Sequence, residues 1–240
     1  MTLTNGQVIG TTPRVATSYQ AVAELLSREI ALGNFVAGDK LPAERMLAEQ
    51  LGVARETLRQ ALRVLEGSGQ IEVKRGARGG AFVLSNSSTE KAAVEDLRAR
   101  KRELLDTLEF RRIIETQAAA LAAQRRTEEH LAQMDLMQEH LLQSHSVDEA
   151  RRADTVFHAT IAQASRNPYL ERSVEDARVL MFGMTDATFF EFQTISSYDS
   201  HAQILQAIRD QDHKLASESM HHHIEVTVQE LEDLLNSYNV

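Results

Sequence analysis

Apolar residues at Val22, Leu25, Leu26 and Ile30 recur at the three-to-four spacing of one helix face, and Ser18 ahead of them can accept from the open amides of a first turn. A helix is therefore predicted from Ser18 to about Leu32, stopped by Gly33, with 36–39 as a turn. Pro42 suits the first turn of a second helix through about Gln50, where a missing N–H costs nothing. Gly52 closes that helix. A third, over about 54–66, turns Leu58, Leu62 and Leu65 inward, and Gly67-Ser68-Gly69 breaks it. Two short strands, 71–74 and 81–84, then flank a glycine-rich loop, 75–80, as a hairpin with a basic tip.

Beyond this the rhythm changes. Residues 85–96, SNSSTEKAAVED, read as a polar connector, and from about Leu97 to Tyr238 nearly everything is compatible with helix. Breaks are expected near 126–127, 144–148, 167–168, 194–199 and 211–212, giving six or seven helices in an all-α bundle. Glycine placement agrees: eight of the eleven lie between residues 33 and 80, and only Gly183 follows. The predicted fold is mainly α, an N-terminal winged helix-turn-helix followed by an antiparallel helical bundle. Its expected divisions are a disordered arm (1–14), a winged helix-turn-helix domain (15–85), a linker (86–96) and a helical domain (97–240).

Charge sharpens the division. The net charge of −9 hides an asymmetry: residues 1–85 carry ten Lys/Arg against eight Asp/Glu, while 86–240 carry 16 against 27. A mildly basic module joined to an acidic partner domain fits nucleic-acid binding by the first part. The absence of cysteine excludes disulfides, thiolate metal sites and a cysteine nucleophile. No apolar run approaches the roughly 18 residues of a membrane span, and the first residues lack a secretory pattern, so no membrane association and a cytoplasmic location are expected.

Helix, glycine turn, helix and hairpin together suggest a DNA reader. Arg55, Arg59 and Arg63 lie one turn apart on the face opposite the leucines, where an arginine near the helix N-terminus can reach a guanine edge. Thr57 can touch a phosphate or a thymine methyl, and Arg45 sits in the first turn of the second helix. Glu56 and Glu66 flank the arginine row, so a solvated salt-bridged face is the alternative. The stretch YQAVAELLSREIALGNFVAGDKLPAERMLAEQLGVARETLRQALRVLEGSGQIEVKRGARGGAFV resembles the winged-helix domain of GntR-family bacterial transcription regulators. That resemblance implies DNA contacts by Arg45, Arg55 and Arg59, with Thr57, Gly79 and Gly80 as backbone or minor-groove contacts. Gln70 departs from the family's usual leucine, and the GARGG run of the wing loop is also unusual.

Histidines carry the chemistry of the second half. Asp154 and His158 are four apart, His201 opens another helical pattern, and of the run His221–His223 at most one or two can face inward, His223 fitting best beside Ala216, Met220, Val226 and Thr227. Asp154, His158, His201 and His223 can supply one carboxylate and three imidazoles to a divalent ion; zinc heads the candidates, with nickel, manganese or iron also able to accept the set. Spacing alone leaves the ordinary reading open, a core histidine satisfied by a carbonyl. Residues 104–125, LLDTLEFRRIIETQAAALAAQR, with these segments, resemble the FCD ligand-binding domain of the FadR branch, and the separation of 22 between His201 and His223 agrees. The resemblance implies a metal site and a small organic-acid effector. Arg111 matches a position near the effector carboxylate, although pairing with Glu115 one turn on competes for it. Asn167 reads as a helix cap, and Phe182, Phe189, Phe190 and Phe192 as core or interface.

The expected function is a ligand-responsive transcription regulator, a repressor binding an inverted-repeat operator in double-stranded DNA as a homodimer. It is not expected to be an enzyme. A metal-dependent hydrolase with an accessory DNA-binding domain is the alternative, weakened by the lack of a general base or nucleophile motif beside the cluster. A third possibility is an interaction protein whose arginine row is incidental.

Overall fold

The computed structural model describes residues 18–76, 79–84, 90–184 and 187–237, with side chains except at 90–93 and 183–196. The anticipated arm (1–14), Arg78, the start of the linker and the side chains of Phe189, Phe190 and Phe192 lie outside these limits. The chain divides into two compact units, separated at 27/28, 39/40 and 82/83.

Helix α1 spans Tyr19–Ala31 and opens on Ser18, whose Oγ accepts from the Ala21 N–H at 3.1 Å. Its buried face is Val22, Ala23 and Leu26. Leu25, expected inside, is exposed, because a face centred on Val22, Ala23 and Leu26 leaves position 25 on the flank. Helix α2 is Glu44–Gln50, so Pro42 leads into the helix rather than sitting in its first turn. The reason is pairing just before it. Lys40 bridges Phe82 and the Leu41 N–H donates to the Ala81 carbonyl at 2.9 Å, holding the chain extended up to the proline. Gly52, at φ +64, makes the left-handed turn into α3 (Arg55–Gly67), which buries Leu58, Ala61, Leu62 and Leu65. Strands β1 (Ile71–Lys74) and β2 (Gly80–Val83) form the hairpin. Among the described residues Glu66 pairs with no arginine of the row: its Oε1 accepts from the Val73 N–H at 3.0 Å and ties α3 to β1.

In the second unit helix begins earlier than the expected linker allows. Helix α4 spans Glu90–Ala99, with Val94 and Leu97 buried in the main core. It is followed by α5 (Lys101–Arg125), α6 (Glu128–Leu142), α7 (Val147–Ala164), α8 (Pro168–Met184), α9 (Ala187–Arg209) and α10 (His213–Ser237). The expected break at 194–199 is absent. Helix α9 runs through it, with Ser197 and Ser200 buried, and α8 and α9 separate near 184–187 instead. Helix α5 packs against α7, α8, α9 and α10, and its small residues Ala118, Ala119, Ala122 and Ala123 belong to the buried core it shares with them. Side-chain caps start four helices of this unit: Ser146 Oγ accepts from Glu149 N, Asn167 Oδ1 from Tyr169 N, Asp212 Oδ1 from Lys214 N and Leu215 N, and Thr127 exchanges bonds with His130 in a capping box. No helix among the described residues is long and apolar enough to cross a membrane.

Candidate functional site

The exposed face of α3 carries Arg55, Arg59 and Arg63, opposite buried Leu58 and Leu62. Arg55 is the first helical residue, Thr57 is half-buried two residues on, and Arg45 is exposed near the start of α2. Among the described residues Arg45, Arg55 and Arg63 make no ion pair, whereas Arg59 Nε donates to Glu44 Oε2 at 2.9 Å and its Nη1 lies 3.9 Å from Glu56 Oε2. The Glu44 bond holds the Arg59 pKa above the ordinary arginine value. In the wing, a Cβ at Gly79 would run into the Lys74 carbonyl oxygen, and one at Gly80, at φ +150, into the Lys40 side chain. Gly79 is thus required by backbone contact in the loop, and Gly80 by its positive φ at the start of β2, since the Lys40 side chain can move aside. Lys40 and Lys74 flank the Phe82 ring at 5.7 and 5.2 Å, adding cations at the base of the wing that spacing did not point to.

Within the bundle, Asp154 and His158 on α7, His201 on α9 and His223 on α10 converge. All are buried, and one ligand atom from each lies within 4.8 Å of all the others. His158 Nε2 is 3.2 Å from His201 Nε2, and Asp154 Oδ1 is 3.7 and 3.4 Å from those two nitrogens. A tetrahedron of ligands at about 2.0–2.1 Å from zinc has edges of about 3.3–3.4 Å, so the donor set fits a divalent ion. The second nitrogens are arranged to match. His223 Nδ1 is 2.8 Å from Ser200 Oγ, leaving Nε2 for the cluster. His158 Nδ1 is 2.5 Å from Glu115 Oε2, close but without an aligned hydrogen bond. His201 lies flat on Phe157, centroids 4.2 Å apart.

Electrostatics keep these donors in their ligating forms. Burial pushes His201 down to about 3 and His158 and His223 well below the ordinary histidine value, so all three are neutral near pH 7. Burial alone would raise Asp154, but the Arg178 guanidinium holds it well below the usual carboxylate range. A carboxylate and three neutral imidazoles are what a metal requires.

Arg111 is buried, as Glu115 is; its Nε donates to Glu115 Oε1 at 2.6 Å and its Nη1 approaches Met181 Sδ at 2.9 Å. Glu115 thereby links Arg111 to His158. Sequence reasoning missed Arg178. Its Nη2 donates to Asp154 Oδ2, while Nε and Nη1 are buried without hydrogen-bond partners among the described residues. Unpaired guanidinium N–H groups at this depth are costly unless an acceptor arrives. The i,i+4 pairing of Arg111 with Glu115 was visible in the sequence, but nothing local connects either residue to His158, or Arg178 to Asp154. His221 and His222 are exposed, and Phe182 is buried against the Arg178 guanidinium at 4.9 Å.

Comparison with known proteins places both regions. Residues 18–83 match the gntR family of bacterial regulatory proteins, and residues 106–226 match the FCD domain. The chain is 29% identical over 215 residues to the Exu regulon transcriptional regulator of Escherichia coli (strain K12), covering 87% of this chain and 82% of that protein. It is also 29% identical over 231 residues to the Uxu operon transcriptional regulator of the same strain, covering 91% and 88%. Among solved structures, E. coli McbR/YncC shares the fold, with a TM-score of 0.50, 20% identity and coverage of 92% and 98%. These families and relatives are regulators rather than enzymes, and the hydrolase alternative finds no support among them. With an arginine-faced helix-turn-helix in one unit and a buried ligating cluster in the other, the chain belongs to the GntR family of DNA-binding transcription regulators and carries an FCD domain as its second part.

Proposed function

We propose that this protein is a cytoplasmic repressor that binds an inverted-repeat operator as a homodimer and responds to a small organic acid at a metal centre in the helical unit. Arg45, Arg55, Thr57 and Arg59 make the operator contacts of the helix-turn-helix, and Gly79 and Gly80 let the wing backbone approach the duplex. Asp154, His158, His201 and His223 hold a divalent ion, zinc by donor set and geometry. When bound, the ion would supply a positive charge and, by expanding beyond its four protein ligands, a position for a carboxylate. The chain's own part is to orient that acid. Arg178 offers the unpaired Nε and Nη1, Arg111 adds a second buried cation, and Glu115 fixes His158. Occupation then shifts the population of DNA-competent forms.

The observation that carries this reading is the coexistence of a buried Asp/His3 cluster and the unpaired Arg178 edge with an exposed arginine face on α3. Duplexes selected by the purified protein from a random pool should bind tighter than random duplex at matched salt, by about 10³-fold or more. Adding zinc and two- to six-carbon hydroxy and keto acids should release the selected duplex. Equal affinity for selected and random DNA would contradict regulation, and tightening by the acid would reverse the assignment as repressor.

A further inference from the structure

Glu44 makes no sense as a bystander. It is the first residue of α2, half-exposed on the surface that the reading above turns toward DNA, where a carboxylate repels phosphate and lowers affinity for any sequence. Among the described residues it is bound to a single arginine. Among the described residues, Arg45, Arg55 and Arg63 of the four exposed arginines on the helix-turn-helix have no ion pair, and Arg59 alone is held, through Nε, by Glu44 Oε2 at 2.9 Å. The two residues come from different helices, fifteen positions apart, so the bond is made by the turn geometry and not by helix periodicity.

A guanidinium can meet the O6/N7 edge of guanine through its two Nη groups, or sideways through Nε and one Nη. With Nε occupied, only the end-on pair remains. The long arginine side chain is also confined to one orientation before it meets the duplex, so less freedom is lost on contact. Glu56, whose carboxylate is 3.9 Å from Nη1, is too distant to compete for that edge.

We infer that Glu44 is a positioning residue for base reading: it orients Arg59 so that its two Nη groups face one guanine of each half-site, and so sets specificity at that base pair while slightly weakening general DNA affinity. This rests on the proposed role of Arg59 as a base contact.

The test uses the full-length protein and duplexes it selects from a random pool. Affinities are measured by anisotropy at fixed salt for the selected duplex, for every single-base-pair replacement within a half-site, and for random duplex. The proteins are wild type, Glu44→Ala, Glu44→Gln, Arg59→Ala and the Glu44→Ala/Arg59→Ala double variant. Arg59→Ala should flatten the preference at one guanine pair. Glu44→Ala should reduce the preference at that same pair about tenfold, a share of what a bidentate contact is worth, while affinity for random duplex stays level or rises. Glu44→Gln, which keeps an oxygen able to accept from Nε, should retain most of the preference. In the Arg59→Ala background, Glu44→Ala should change the preference no further. If Arg59→Ala flattens the preference and Glu44→Ala leaves it intact, the positioning role is wrong and the base contact stands. If Glu44→Ala instead weakens all sequences equally with a lowered melting temperature, the residue is structural and the inference is overturned. If Arg59→Ala changes no preference, the base contact itself is wrong and the inference falls with it.

Discussion

The two units of this protein handle arginine in opposite ways. On α3 the guanidinium groups are solvated, mutually spaced and, except for Arg59, unpaired among the described residues. In the bundle Arg111 and Arg178 are buried beside Glu115 and Asp154, within reach of three neutral histidines. An exposed charge costs the fold almost nothing and is free to meet a partner from outside. A buried charge costs several kcal/mol unless it is paired, so each such group constrains the others. The arginine face of α3 should therefore tolerate substitution with its stability intact, and the buried cluster should not.

The comparison is tested hardest by removing a member of the cluster. His158→Ala should strip metal from the purified protein, measured by mass spectrometry, and lower stability by about 1–3 kcal/mol because a buried polar neighbour of Asp154 and Glu115 is removed. Unchanged metal content would show that the ligand set is wrong.

Acid should act next, on chelator-treated protein. The three histidines have folded pKa values below their unfolded value near 6.5, so they stay neutral in the fold and protonate on unfolding. Stability is fully present above pH 6.5 and is lost as the pH falls toward the folded values, about 3 for His201. Each histidine adds a slope of about 1.4 kcal/mol per pH unit in that window. Denaturant midpoints that do not move between pH 7 and pH 5 would contradict the burial of neutral imidazoles. Asp154, held low, adds its own loss only below about pH 4.

On the other unit, Arg55→Ala should cost about 1–3 kcal/mol of binding to a selected duplex and leave the melting temperature unmoved. A drop in stability instead would place Arg55 in the fold rather than at the interface. The smallest effect belongs to a surface pair on the bundle. Arg112 Nη1 meets Glu225 Oε1 at 2.8 Å with both side chains about two-fifths exposed, and Glu225→Gln should change stability by less than about 1 kcal/mol. A larger change would mean that exposure alone does not separate the two kinds of charge.

What was legible in the sequence follows the same line. The helix-turn-helix was readable because its instructions are local: Gly52 at a left-handed turn, leucines at helical spacing, a hairpin around glycines. The four histidine and aspartate positions were readable one face at a time, each from its own helix, while their convergence came from resemblance. Arg178 and Glu115 were not readable as site residues, because a charged residue inside a helix looks the same whether it faces water or an ion pair 24 or 43 residues away. Helix α4 was hidden in a polar stretch whose only apolar signal is Val94 and Leu97, one turn apart. The run 194–199 read as a break between helices. In fact α9 continues through it, the Tyr198 carbonyl accepts from Gln138, and Ser200 just beyond meets His223.

The central proposal is that the buried cluster governs DNA binding by the arginine-bearing helix α3. It is tested most directly by the affinity of zinc-loaded protein for a selected duplex, titrated with a panel of two- to six-carbon hydroxy and keto acids, in wild type and in Arg178→Met. The account predicts that at least one acid weakens wild-type binding tenfold or more and leaves the variant, with its metal retained, unaffected. An acid that shifts both proteins equally would contradict it.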